Sequence, residues 1–187
     1  MNYPKRKPLR LLEYDYSTPG GYFVTICTEN RRRILSEVVV GDGVLDVPLV
    51  RLSPYGKIVE ETLHEIVEHH DWLTVDKYVI MPNHIHLLLR IQADGTSRTP
   101  SPTYRDSDGT SRPQFSANDR LPKLISTFKR FTNRRSGCEL WQRSYHEHVI
   151  RNENDYREIW EYIDENPMKW AQDRYYTGET LSHFEDF

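Results

Sequence analysis

Three observations predict an α+β fold, a ferredoxin-like sandwich in which an antiparallel sheet carries helices on one face. First, short runs of β-branched and aromatic residues bounded by turn residues read as strands. Second, two longer runs carry apolar residues at the 3.6-residue interval of an amphipathic helix. Third, their order along the 187-residue chain is strand, helix, strand, strand, helix, strand, the split βαβ pattern.

Each element has its own justification. "GYFVTICT" (21–28) is rich in β-formers and opens the sheet. "VVVGDGVLDVPLVRL" reads as a hairpin turning at Gly41-Asp42-Gly43. In "SPYGKIVEETLHEIVEHHD", Ile58, Thr62, Ile66 and Val59, Leu63, Val67 stripe one side of a helix. Ser53 is suited to cap that helix and Pro54 to its first turn. "WLTVDKYVI" and "HIHLLLRI" are strands separated by Met81-Pro82-Asn83, residues suited to a tight turn. In "DRLPKLISTFKRFTNRRSG" the predicted apolar stripe is Leu121, Leu124, Ile125, Phe128 and Phe131, with Gly137 ending the helix. "SYHEHVIR" is a short strand with the look of an edge. "NDYREIWEYIDENP" is a final helix, capped by Asn154 or Asp155, striped by Tyr156, Ile159, Trp160 and Ile163, and stopped before Pro167. This last helix lies outside the sandwich pattern.

Length and composition fit one domain over residues 1–187. Residues 93–118 differ from the rest. They repeat Asp-Gly-Thr-Ser-Arg at 94–98 and 108–112 and hold almost no aliphatic side chains, which predicts a flexible insertion. No apolar run approaches the ~20 residues of a membrane span. Cys27 and Cys138 form no metal or redox spacing, so a cytoplasmic, reduced protein is the expectation. The net charge of −3 argues against a protein that coats polyanions indiscriminately, yet basic residues gather in two islands. Lys5, Arg6, Lys7 and Arg10 form one; Arg120, Lys123, Lys129, Arg130, Arg134 and Arg135 form the other. The second is either a phosphate-binding surface, with Lys123, Arg130 and Arg134 near one stripe, or an ordinary solvated helix face.

The strand "HIHLLLRI" contains two imidazoles in an apolar setting. Side chains alternate along a strand, so His84 and His86 share one face, about 6.6 Å apart along it. Buried imidazoles need partners, and two on one face can converge on a single ion. Two partly exposed histidines would explain the spacing equally well. His146 and His148 repeat it, and four converging imidazoles would resemble a zinc hydrolase. His69 and His70 diverge on a helix and read as surface residues.

"VIMPNHIHLLL" resembles the signature of the HUH single-strand endonucleases, within the single-tyrosine insertion-sequence transposases. "GYFVTICTENRRRIL", "SPYGKIVEETLHEI", "LWQRSYHEHVIR" and "YIDENP" resemble, in order, segments of REP-associated tyrosine transposases. The resemblance implies a tyrosine on the C-terminal helix that attacks single-stranded DNA, forming a 5′-phosphotyrosine and freeing a 3′-hydroxyl. It implies hairpin-forming DNA as the partner and a divalent ion, magnesium or manganese, as cofactor. The nucleophile position matches Tyr162, and the metal ligands match His84, His86 and Asn166. Tyr162 and Asn166 are four residues apart and therefore stack on one helix face. From the residues alone Tyr162 also reads as a core aromatic among the chain's 12 tyrosines. The REP-associated relatives imply a monomer rather than a domain-swapped homodimer. A nucleic-acid-binding module that lost the chemistry is the alternative of a different class.

Overall fold

The computed structural model describes residues 18–39, 48–92, 103–105, 111–113 and 120–176. The predicted basic N-terminus, the Gly41-Asp42-Gly43 turn and most of 93–118 lie outside the described residues.

Strand β1 (Gly20–Cys27) is followed by a short 3-10 turn at Glu29–Arg31 and by a two-stranded sheet of β2 (Ser36–Val39) and β3 (Leu49–Leu52). Helix α1 (Pro54–Glu68), β4 (Leu73–Met81) and β5 (His84–Ile91) come next. Within 93–118, β6 (Thr103–Arg105) pairs with β7 (Ser111–Pro113). Helix α2 (Arg120–Ser136), β8 (His146–Ile150) and α3 (Glu153–Glu165) complete the order. The main sheet runs β4-β5-β1-β8 with every neighbouring pair antiparallel. Two parallel strands, β1 and β4, thus enclose β5, which is the ferredoxin-like arrangement.

The pleat separates two sets of side chains. Tyr22, Val24 and Ile26 of β1 pair with Leu89, Leu87 and Ile85 of β5. All six face α1 and α2 and join Val59, Leu63, Ile66, Leu121, Leu124, Ile125 and Phe128 in the large core. Phe23 and Leu88 point to the opposite face, where Ile159 and Ile163 of α3 meet them together with Val79, Ile150 and Tyr156. The sheet is therefore covered on both faces, by α1 and α2 on one and by α3 on the other.

Helix starts follow from local chemistry. The Ser53 side chain accepts from the Gly56 amide at 3.0 Å, and Pro54 occupies the first turn, as expected. Helix α3 is capped by Asn152, two and three residues before the predicted Asn154 and Asp155, because its Oδ1 accepts from the Asp155 amide at 3.0 Å. Two predicted apolar stripes need correction. Phe131 is exposed and Thr132 replaces it, its hydroxyl donating to the main chain of α2 and accepting from Trp141 Nε1 at 2.7 Å. Trp160 is also exposed, with the Lys77 ammonium 4.8 Å above its ring.

Gly56 supplies a direct test of this packing. A Cβ at that position would lie 2.1 Å from the Leu35 carbonyl oxygen, a backbone atom that cannot move alone. Alanine in a helix normally gains about 1 kcal/mol over glycine. Here the overlap reverses the sign, so Gly56→Ala should destabilise by about 1–3 kcal/mol. A thermal melt should show a midpoint lower by several degrees; a raised midpoint would contradict the approach of α1 to Leu35.

Candidate metal and nucleophile site

The two-residue turn Pro82–Asn83 launches β5 so that His84 and His86 face the α3 side, opposite Cys27 and Thr25 of β1. Both rings are fully buried. Asn83 donates from Nδ2 to the Tyr175 carbonyl at 2.7 Å, leaving its Oδ1 beside His84 Nδ1 at 2.9 Å. His84 must therefore carry its proton on Nδ1, and its Nε2 presents a lone pair. That Nε2 lies 3.1 Å from His86 Nε2. His86 Nδ1 is held by the Thr25 hydroxyl at 2.8 Å. When the ring donates to Thr25, two lone pairs face each other at contact distance. Such a pair needs a cation between them, or a proton that turns one into a donor.

Helix α3 brings the rest. Tyr162 Oη stands 3.3 Å from His86 Nε2, and its ring packs edge-on against Phe23. One turn on, Asn166 donates from Nδ2 to Asp173 Oδ2 at 2.9 Å. Its Oδ1 is buried and has no hydrogen-bond partner among the described residues. An orphaned buried acceptor on a residue bonded to Asp173 fits the donor chemistry of a cation site. Asp173 Oδ1 accepts from the Tyr175 amide at 2.6 Å. Ligand atoms of His84, His86 and Asp173 lie within 4.8 Å of one another, so this group can hold a metal ion.

Electrostatics keep the two imidazoles neutral. Burial pushes His84 down to about 4, against a smaller opposing pull from Asp173. Burial, and then the His84 charge, hold His86 well below the ordinary histidine range. Burial and the Asp173 charge push the Tyr162 phenol up to about 12, opposed by Arg174 and by a hydrogen bond from Asn166. The phenol therefore keeps its proton in this environment until positive charge is added near it. A stability prediction follows from the histidines. Below an ordinary value of about 6.5 the unfolded chain binds protons at both, while the folded chain resists them. Stability in chelator should be full above about pH 6.5 and fall as pH drops toward 4. Urea midpoints at pH 7 and pH 5 check the sign; equal midpoints would mean that the rings are hydrated.

The docking of α3 is secured at its flanks. Tyr156 donates to Asp76 Oδ2 at 3.1 Å, and Lys77 pairs with Asp164. Asp76 sits where the β4–β5 register shifts, between Val75 and Lys77. A bulge of this kind re-aims a side chain, here toward α3.

The other predicted residues lie elsewhere. Lys123, Arg130 and Arg134 are on α2, across the sheet from the histidines. Lys129 donates to the carbonyls of Gln142 at 2.8 Å and Ser144 at 2.9 Å, and Arg135 is held by Glu65 and Thr62. These two cations are committed to holding the fold. His148 bonds Asp155 at 2.9 Å, and His146 is exposed on β8, separated from β5 by β1. The two histidine pairs do not converge. Asp173, Arg31, Arg174 and Tyr175 surround the site without having been singled out as its components. Only their place after the helix stop, or in the arginine run after β1, hints at a role.

No family model matches the chain. It is 31% identical over 178 residues to an uncharacterized protein of Haemophilus influenzae, covering 91% of this chain and 93% of that one. A second protein of that bacterium, named "Putative REP-associated tyrosine transposase", is 25% identical over 155 residues, covering 83% and 74% respectively. The solved structure of a REP-associated tyrosine transposase bound to a REP hairpin has the same fold. It matches with a TM-score of 0.55 at 18% identity, covering 93% of this chain and 77% of that chain. The chain is thus similar in sequence to a putative REP-associated tyrosine transposase and shares its fold with another solved one. Two tyrosines stand near the histidines. Tyr175 also approaches the site, with its ring 4.7 Å from that of His84, but it is buried to 3% exposure and its hydroxyl takes a bond from Arg174. Tyr162 is 38% exposed and can meet an incoming strand. No helix among the described residues is long and apolar enough to cross a membrane.

Proposed function

We propose that this protein is a single-strand DNA endonuclease and strand transferase that uses Tyr162 as its nucleophile, acting on hairpin-forming DNA. The observation that carries the reading is the placement of a half-exposed phenol 3.3 Å from a buried histidine pair, on a helix docked by both ends. Similarity to a putative REP-associated tyrosine transposase supports transposase chemistry, and the REP hairpin held by the structural neighbour supports a hairpin as the partner.

In the proposed step Tyr162 Oη bonds to the phosphorus and the bond from phosphorus to the 3′ oxygen breaks. One proton leaves the phenol and one reaches the 3′ oxygen. The product is a 5′-phosphotyrosine and a free 3′-hydroxyl, and the phosphodiester survives, so rejoining needs no ATP. His84 and His86 through Nε2, with Asn166 through Oδ1, would hold a magnesium or manganese ion, and Asp173 lies close enough to join them. The ion supplies positive charge that polarises the phosphate and favours the phenolate. Asn83 and Thr25 hold the ring orientations, and Asp173 holds the Asn166 amide. Fixed groups of this kind contribute by positioning, which can supply several kcal/mol of barrier reduction.

We also propose that residues 1–187 act as one domain and that 93–118 is an insertion dispensable for the chemistry. The protein is proposed to act in the cytoplasm, where the free Cys27 and Cys138 stay reduced, and as a monomer, because Tyr162 reaches His86 on its own chain.

Incubating the protein with hairpin-tailed single strands and manganese should yield a DNA-linked species that survives denaturing electrophoresis. Tight DNA binding with no adduct would favour a binding module that has lost catalysis. Cleavage by water without an adduct would point to a hydrolase.

A further inference from the structure

The mouth of the histidine site is built from two segments that leave charge unneutralised. After β1 the chain turns through Asn30 at φ 55° and Arg31 at φ 54°, two consecutive left-handed residues that are not glycine. Arg31 costs backbone strain there, of order 1–3 kcal/mol, which the surrounding structure must offset. The turn sets the Arg31 guanidinium 5.4 Å from the Tyr175 ring centre. The Arg174 guanidinium is 4.6 Å from the same ring. Tyr175 in turn stacks 4.7 Å from His84. Both arginines are exposed, and neither has a carboxylate partner among the described residues. Beside them Tyr176, 39% exposed, meets Trp170 edge-on at 5.1 Å. Guanidiniums alternating with an exposed ring are what a single strand offers contacts for: phosphates along its backbone and unpaired bases with free faces.

We propose that Arg31 and Arg174 bind the phosphates of the single-stranded flank of the DNA, and that Tyr176 stacks on one of its bases, guiding the scissile bond to Tyr162. The proposal rests on the functional reading above and deepens it. It also moves the phosphate contacts from α2, across the sheet, to the lip of the site. A duplex keeps its bases stacked on one another and cannot use Tyr176, so the ledge selects a single strand.

The test uses the Tyr162→Phe protein in chelator, so that only binding is read and failure of the chemistry cannot obscure it. The probes are a fluorescent DNA hairpin with a single-stranded tail and the same hairpin made blunt. Arg31→Gln with Arg174→Gln should reduce the log–log salt slope for the tailed probe by about 1.4, at 0.7 per lost phosphate contact. Lysine at both positions should restore the slope, which separates lost charge from lost folding. Tyr176→Ala should weaken tailed binding about fivefold or more, as loss of one stacked base does. Blunt binding should change little in all of these. An unchanged slope in the double variant would overturn the proposal. So would an equal loss for the blunt probe, or a slope lost only when Arg130 and Arg134 are replaced by alanine.

Discussion

Tyr162→Phe should fold normally and form no covalent complex with DNA. The substitution removes one oxygen, and the remaining ring keeps its edge-on contact with Phe23 and its contact with His86. The lost hydrogen bond to His86 is long at 3.3 Å and partly exposed, so the stability change should stay below about 1 kcal/mol. The two described tyrosines packed nearest this layer are poorly placed to substitute. Tyr156 is tied to Asp76, and Tyr175 is buried behind the histidines. Tyr156→Phe and Tyr175→Phe should therefore still give the adduct, with Tyr175→Phe the more stringent control because that ring lies nearer the site. An adduct in Tyr162→Phe would mean that the wrong hydroxyl has been assigned.

The second large effect is expected at His84. Its Nε2 is the donor atom whose protonation state is settled by its surroundings, since Asn83 accepts the Nδ1 proton. His84→Ala should abolish cleavage and weaken manganese binding by more than 100-fold, beyond what loss of an outer partner does. Asn83→Ala leaves the ligand in place but frees its ring, and should weaken the ion by about 10–100-fold. Direct manganese titration by electron paramagnetic resonance separates these effects from turnover. DNA binding in chelator should survive both changes. Because His84 is buried, a melting curve must show that His84→Ala is folded. Manganese affinity unaltered in a folded His84→Ala protein would remove the histidine pair from the metal site. One equivalent of chelator-resistant zinc in the purified protein would instead favour a zinc centre.

The scaffold was legible because its signals are local. The alternating direction of side chains along a strand put His84 and His86 of "HIHLLLRI" on one face and Ile85 and Leu87 on the other, and the register bears this out. The four-residue spacing of Tyr162 and Asn166 placed them one turn apart; α3 carries Tyr162 to His86, and Asn166 is its C-cap residue, bonded to Asp173. Local patterns also misled. Phe131 is more apolar than Thr132, yet the threonine faces inward because its hydroxyl finds Phe128 and Trp141. The charge count on α2 said nothing about which layer the helix would occupy. Lys129 looked like a solvated cation, but three main-chain carbonyls converge on it. Asp173, Arg31 and Arg174 were invisible for another reason. They lie in turns without periodicity, and only the tertiary path of the chain after Pro167 brings Asp173 back to Asn166.

The central claim is that one atom, Tyr162 Oη, becomes bonded to DNA. The most direct measurement is to trap the wild-type protein on a hairpin-tailed single strand with manganese, digest protein and DNA, and sequence the nucleotide-bearing peptide by mass spectrometry. The account predicts a single modified peptide, spanning α3, with the 5′-phosphate mass on Tyr162 and a free 3′-hydroxyl on the released strand. A modification on any other residue, or cleaved DNA carrying a 5′-phosphate with no modified peptide, would contradict it.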